Sequence, residues 1–579
     1  MVCWYRHLFA FIGLCGLSTL ASQPVTPFEL DSNYSATYRE VIDYYLALDP
    51  TSSQMQMHPF GMTDSGHPLH EIVLSANGIF DPVTAKKEGK LIFLINNGIH
   101  AGEPCGVDAT MMLVRDLIRH QIDPSLWKDV VMVIIPFYNI GGALNRDAYS
   151  RANQAGPREH GFRGNARNLD LNRDFIKSDS KNAQSFQQLF TKWDPDVFLD
   201  NHTTDGADYP YIMTLVESQK DKATPPLGDY MRNSFFPEIY RRLTASGFPA
   251  VPYVNVRNTP DEGIFAFFES PRFGSGYAAL HHTLAMISEA HMLKPFAQRV
   301  RGTYSLEMHL LEILSEQRER ILALRLEAKE NARNQKDFPV AWKLDFTRKD
   351  SILFSGYSAA YRTSAISGKD RLYYDKTKPY RKFIPFYNTY VPTAVVTRPL
   401  AYVIPQAYDG IIDRLSWNGV RMRRLTSDST LMLEMYTIND YDSPPNPYEG
   451  HFLHSGVTVE KQIRSWTYHQ GDYWIPTDQP EVRFIMETLE PQATDSYFAW
   501  NFFDAILGQK EYFSSYVFED TAAELLRENP ALAATLKKMK EEDADFAANP
   551  RAQLNYIYQH SPYYEKTYRL YPVGRVISN

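Results

Sequence analysis

Two rhythms of apolar and polar positions run along this chain. In the N-terminal half, short unbroken apolar runs stand between stretches of helical spacing. "KLIFLINNG" (90–98), "DVVMVIIPFYN" (129–139), "DVFLDNH" (196–202) and "TLAMISEAHM" (283–292) are runs of the first kind, and "HPLHEIVLS" reads as a further strand after the turn-prone "TDSG". A strand covered on both faces reads this way, without alternation, so these predict strands of a largely parallel sheet. Residues 30–48 carry a helical face of Tyr38, Val41, Ile42, Tyr45 and Leu46, and residues 103–118 read as a second helix. Between Tyr304 and about Gln335, Leu306, Leu310, Ile313, Leu314, Ile321 and Leu324 mark a long helix that closes a first domain. The expected class is α/β, a mixed, largely parallel sheet flanked by helices.

Beyond Asp337 the second rhythm takes over. "DRLYYDKTKPYRKFIPFYNTYVPTAVV" and "GVTVEKQIRSWTYHQGDYWIPT" alternate like strands, with "HQGD" as an expected hairpin turn, and the chain from about Asp495 reads as helical and aromatic-rich. Residues 337–579 are expected to form a second, mixed α+β domain, whose role the pattern does not reveal.

At 579 residues the chain is long enough for two or more domains. Its 44% hydrophobic and 22% charged residues are those of a folded protein, and a formal charge of −8 with no basic run argues against nucleic acid as a partner. Arg6 and His7 precede "LFAFIGLCGLSTLA", which gives way to the polar "SQPVTP". That is the layout of an export signal cut after Ala21, and the run is short for a membrane span. The expected divisions are a signal at 1–21, a first domain at 22–336 and a second at 337–579. The expected location is secreted or periplasmic, with no stable membrane insertion. Removal of the signal leaves Cys105 alone, so no internal disulfide is expected, and Cys105 reads as a small buried residue.

The candidate chemistry lies where apolar runs end. "NNGIHAGEPCG" places His100 and Glu103 between a strand and a helix, at the edge where open α/β sheets bind ligands. An imidazole and a carboxylate suit zinc, but two ligands do not make a site, and a loop histidine beside a glutamate at a helix N-terminus is the ordinary alternative. "DVFLDNHTTDG" ends a second run in His202, and "TLAMISEAHM" puts Glu289 in or at the end of a buried strand, where a carboxylate is costly unless paired or working.

Together these stretches resemble the zinc carboxypeptidases, peptidase family M14. "GIHAGEP", "GFRGNARNLDLNRDF", "DNHTTDG" and "ISEAH" carry the resemblance in the family's order and approximate spacing, over roughly residues 30–300. The resemblance implies a zinc carboxypeptidase-like fold with one zinc ion per chain, bound by His100, Glu103 and His202. Glu289 would be the general base. Asn172 and Arg173 would clamp the C-terminal carboxylate of a peptide or protein substrate. Arg163, nine residues before Asn172, would stabilise the oxyanion, with Arg167 close enough to compete, and Asp170 would hydrogen-bond a ligand histidine, His100, unless it merely caps a turn. Glu269, His281, His282 and His291 are read as structural, and His451 and His454, which show no carboxylate partner pattern, as a solvated or satisfied pair.

The chain departs from the pancreatic pattern in two places. Gly102 stands where those members carry an arginine, and the family's mobile-loop tyrosine has no counterpart at its usual offset, the nearest being Tyr277. The function expected is an exported metallocarboxypeptidase. A zinc amide hydrolase acting on N-acyl amino acids or cell-wall peptides is the alternative, and a non-catalytic binding protein keeping the fold is a third. Oligomeric state is not legible.

Overall fold

The computed structural model describes residues 24–577; the expected export signal, with Cys3 and Cys15, lies outside them. Eight strands form the central sheet. They are β1 (Met55–Met62), β2 (Pro68–Leu74), β3 (Leu91–Asn96), β4 (Val130–Ile135), β5 (Val197–Thr204), β6 (Met213–Glu217), β7 (Ala250–Pro252) and, after the two-residue β8 (Ile264–Phe265) of another sheet, β9 (Leu284–His291). Their order is β1-β2-β4-β3-β5-β9-β6-β7. The middle four, β4, β3, β5 and β9, run parallel, while β2 and β6 join them antiparallel. The sheet is mixed and largely parallel, as the unbroken apolar runs predict. All six residues of β3 and of β4 are buried, because helices cover both faces.

Helix boundaries follow local chemistry more closely than apolar spacing does. The helix expected over 30–48 begins at Tyr38. Thr37 caps it through a reciprocal pair with Glu40, and the buried face is Tyr38, Val41, Tyr44, Tyr45 and Leu48. Leu46, expected inside, is 54% exposed. The long helix starts earlier than its leucines suggest, at Phe296 directly after Pro295, and runs 39 residues to Asn334. Helix Cys105–Ile118 opens with small residues for a steric reason: a Cβ on Gly106 would lie 2.3 Å from the Asn201 side chain of β5.

After the long helix come β10 (Asp337–Leu344), β11 (Asp350–Thr363), β12 (Asp370–Tyr387), β13 (Tyr390–Thr397), β14 (Ala401–Ile404), β15 (Arg423–Arg424), β16 (Ser429–Asp442), β17 (Ser455–Tyr468), β18 (Tyr473–Pro476) and, near the C-terminus, β19 (Gly574–Val576). "HQGD" does turn the chain from β17 to β18, but it closes no hairpin. β17 pairs with β16, and β18 pairs with β14 and β15. The physical reason is burial: Ile475 of β18 is fully buried beside β14, whereas β17 alternates exposed positions along the outer edge of the sheet. Helices Ser515–Glu528, Pro530–Glu542 and Pro550–Gln559 supply the helical end.

The two halves share one core. Phe175, Phe186, Phe190 and Tyr277 lie in the same apolar cluster as Leu415, Phe484, Tyr497 and Trp500. The β11–β12 hairpin adds Phe354, Ile384 and Phe386 to a smaller cluster with Tyr209 and Tyr211. No helix among the described residues is long and apolar enough to cross a membrane.

Candidate active site and metal centre

β5 changes character midway. "VFL" is apolar and "DNHTT" is polar, yet all eight residues are buried, because the strand runs from the core to the floor of a cleft at its carboxyl end. Asp200 and His202, two apart, share a face. His202 sits beside Glu289 in the parallel register of β5 and β9, so the histidine and the half-buried glutamate look into the same space. The third element is the turn after β3. Gly98 adopts φ +66°, and a Cβ there would stand 2.8 Å from the Phe137 ring. The chain then closes a tight turn, Glu103 N–H donating to His100 C=O at 2.9 Å, which folds the two side chains together.

The resulting constellation is compact. Glu103 receives both imidazoles: His100 Nδ1 lies 3.2 Å from Oε1, and His202 Nδ1 lies 3.2 Å from Oε2. One ligand atom from each of His100, Glu103 and His202 falls within 4.8 Å of the other two. Each far ring nitrogen faces another carboxylate, His100 Nε2 at 2.9 Å from Asp170 and His202 Nε2 at 3.1 Å from Asp200. Both rings are thereby oriented with Nδ1 inward, as outer carboxylates orient ligand histidines.

Burial opposes ionisation of Glu103, yet the adjoining His100 and Arg151 charges hold its carboxyl well below the usual range. Burial likewise opposes protonation of His202, and Asp200 and Glu103 overcome it, raising that imidazole well above its ordinary value. Burial pushes Glu289 up to about 8, with Glu103 adding repulsion and His202 opposing it.

The cleft above them has a volume of about 480 Å³ and is lined also by Arg151, Arg163, Asn172, Arg173, Tyr253, Phe267 and Phe273. Arg163 donates to Asp170 at 3.0 Å and reaches Glu103 at 3.5 Å. Arg167 points away and bonds the Asp179 carbonyl. Asp170 does two jobs at once: it caps the turn Leu171–Arg173 through Asn172 N–H and meets His100. The Arg173 guanidinium stacks on the Phe273 ring, 4.6 Å from its centre.

The model of the zinc carboxypeptidase family matches residues 43–209. That stretch contains His100, Glu103, Arg163, Asp170, Asn172, Arg173 and His202. Residues 43–209 are similar to a zinc carboxypeptidase domain. Among curated proteins, the chain is 21% identical to carboxypeptidase 2 of Trichophyton rubrum over 490 residues, 81% of this chain and 84% of that one. It is 23% identical to carboxypeptidase 2 of Trichophyton tonsurans over 430 residues, 70% and 73% of the two chains. Solved structures similar to it include a metallo-carboxypeptidase from Pseudomonas aeruginosa, with 15% identity, 50% and 70% coverage and a TM-score of 0.37. Carboxypeptidase A from Helicoverpa armigera is another, with 12% identity, 50% and 74% coverage and a TM-score of 0.37.

The zinc on which this family depends suits the residues present. His100 Nδ1 is buried without a hydrogen-bond partner among the described residues, and two imidazole nitrogens with one carboxylate are a catalytic zinc donor set that leaves a position open. Two neighbours of this site escaped the sequence reading. Asp200 had a signal, since it precedes His202 by two on one strand. Arg151 had none: it lies in an irregular loop and donates to Glu103 at 2.7 Å. Gly102 makes room for it, because a Cβ there would meet Arg151 Cδ at 2.8 Å. An arginine thus stands over the position where the pancreatic pattern carries one in sequence.

Tyr277 does not reach the cleft. It is fully buried on helix Gly274–Leu280, donating to Asn418 at 2.6 Å, and packs into the shared core. Tyr253 lines the cleft instead. Glu269 is buried and accepts from Gln219 N–H, and His291 stacks on Tyr209. His451 and His454, read as a solvated or satisfied pair, are each satisfied by a carboxylate: Asp179 at 2.7 Å and Asp504 at 3.0 Å. Both partners are too distant in sequence for a spacing pattern to reveal. Cys105 is buried against Thr203, and burial pushes its thiol up.

Proposed function

We propose that the chain is an exported zinc metallocarboxypeptidase, secreted or periplasmic, that hydrolyses the C-terminal peptide bond of peptides and proteins with one zinc ion per chain on His100, Glu103 and His202. What supports this reading is one juxtaposition: three convergent zinc donors, a carboxylate beside them and an arginine–asparagine pair all line a single cleft.

When bound, zinc supplies a Lewis acid that polarises a carbonyl and brings the pKa of a water down to about 7. Glu289, beside His202, takes the proton of the attacking water and hands it to the leaving amine, a role that suits a carboxyl whose affinity for protons burial has raised. Arg163 offers a fixed charge to the oxygen that turns anionic in the transition state. Arg173, flattened on Phe273, presents a planar fork that a carboxylate can accept in two parallel hydrogen bonds, with Asn172 beside it. Asp170 holds His100 by Nε2, which leaves Nδ1 as the donor atom.

The test is hydrolysis of a mixed peptide library by the purified mature protein, each peptide offered with a free and an amidated C-terminus, with and without a zinc chelator. Loss of single residues from free C-termini only, abolished by the chelator, is expected. Cleavage indifferent to the terminal carboxylate would remove Arg173 from the clamp. Turnover of N-acyl amino acids in place of peptides would make the protein a deacylase.

A further inference from the structure

The C-terminal half reaches the substrate clamp. The connection from β16 to β17 folds into a tight turn at Tyr448–His451, in which the Tyr448 and His451 backbones exchange hydrogen bonds of 2.7 and 3.0 Å. The tip of this turn touches the segment 170–173 at both ends. Glu449 accepts from the Asp170 backbone N–H at 2.8 Å, and the Tyr448 hydroxyl accepts from Arg173 Nε at 2.7 Å. Glu449 holds φ +50°, a left-handed conformation that a glutamate adopts only where its surroundings impose it.

The turn is itself anchored to the catalytic half. His451 bonds Asp179 at 2.7 Å. The Tyr448 ring lies parallel to Trp500 at 6.2 Å, and the Arg272 guanidinium sits over both rings while pairing with Asp495 at 2.7 Å.

From this geometry we infer that Tyr448 is a positioning residue for carboxylate recognition, supplied by the C-terminal half; the inference rests on the reading of Arg173 as the clamp. A guanidinium can receive a carboxylate side-on, through Nε and one Nη, or end-on, through both Nη groups. Tyr448 occupies Nε, the Asn172 carbonyl takes one Nη1 hydrogen at 3.0 Å, and Phe273 covers one face. The plane is thereby fixed, Asp170 Oδ2 lies 3.7 Å from Nη1 as well, and the Nη2 end of the fork is what a ligand can reach. An arginine held in advance loses less side-chain freedom on binding. The second half of the chain therefore does more than pack against the first: it sets the aim of the residue on which exopeptidase selectivity depends.

The experiment compares the full-length mature protein with Tyr448→Phe, which removes one oxygen and keeps the ring, in the natural background and in Arg173→Ala. For peptides with a free C-terminus, Tyr448→Phe is expected to raise KM about tenfold, the effect of losing one hydrogen bond to a charged group, with kcat close to that of the natural protein. In the Arg173→Ala background it should change nothing further. An unchanged KM would overturn the inference, as would an equal effect in both backgrounds, or a fall in kcat and melting temperature with KM unmoved. The natural protein is the control for the underlying reading. If it fails to prefer free over amidated C-termini, the clamp assignment falls and this inference with it. If it keeps that preference while Tyr448→Phe is silent, only this inference falls.

Discussion

Two clusters of buried charge, one at the zinc-donor site and one in the C-terminal half, use the same kinds of side chain to opposite ends. Around Glu103, carboxylates, imidazoles and two arginines crowd together beside a cleft and still leave a buried ring nitrogen, His100 Nδ1, without a hydrogen-bond partner. Around Glu490, Arg575 donates at 3.0 Å, Tyr402 donates to the same oxygen and Glu434 pairs with Arg575, all inside a wall of apolar residues with β14 and β16 on two sides. The second cluster joins strands to a helix. Burial of charge is common to both, so it does not by itself mark a functional site. Each also leaves a buried polar atom without a hydrogen-bond partner, His100 Nδ1 in the first and Glu490 Oε2 in the second, so what separates them is the space beside the first that a ligand can enter.

The sharpest way to break this comparison is at Glu289. Glu289→Gln keeps the shape and removes the base, and kcat is expected to fall by about 10²–10⁴, with zinc content by atomic emission unchanged. A variant that retained its rate would mean the open cluster needs no base at that position.

The closed cluster should answer to pH and not to zinc. Burial pushes the Glu490 carboxyl from an ordinary 4.5 up to about 7, against the opposing hydrogen bond from Tyr402. The folded chain then holds this proton more tightly than the unfolded one. The group's contribution to stability is fully present below about pH 4.5 and is lost as the pH rises through about 7, an effect of roughly 3 kcal/mol. Glu490→Gln, neutral at every pH, should flatten that loss in denaturant melts at pH 5 and pH 8 and leave kcat unaltered. A parallel loss in both proteins would show that Glu490 does not titrate in this range.

The smallest expected effect is at Asp200. Asp200→Asn removes the carboxylate behind His202, and zinc affinity, read by competition with a chelator, should weaken by about 10–100-fold, while the pH profile of stability set by Glu490 stays as it was. An affinity equal to the natural protein's would show that Asp200 does not tune the histidine.

Much of the site was legible because its parts sit where local patterns change. His100 and Glu103 mark the passage from strand to helix, and His202 and Glu289 end apolar runs, so strand direction alone brings them to one edge of the sheet. Asp170 and Asn172–Arg173 lie within a single short stretch. For Tyr277 the offset from Glu289 left its role open, and its place on the buried helix Gly274–Leu280 turns it into the core. The capping pair Thr37 and Glu40 was visible in the sequence, yet the apolar spacing around it extended the first helix too far back.

The order of apolar runs thus determined a largely parallel sheet, and the residues closing those runs determined which edge of it bears the candidate metal donors. Periodicity is a local property, set by backbone geometry over a few residues, and one chain read in order carries it completely. Only the tertiary structure decided that Arg151 would cross over Gly102, that Asp179 and Asp504 would partner His451 and His454, and that a turn at Tyr448 would hold Arg173. Those contacts join residues from tens to hundreds of positions apart, and they arise from packing two halves of the chain around one core, which no spacing along the sequence records.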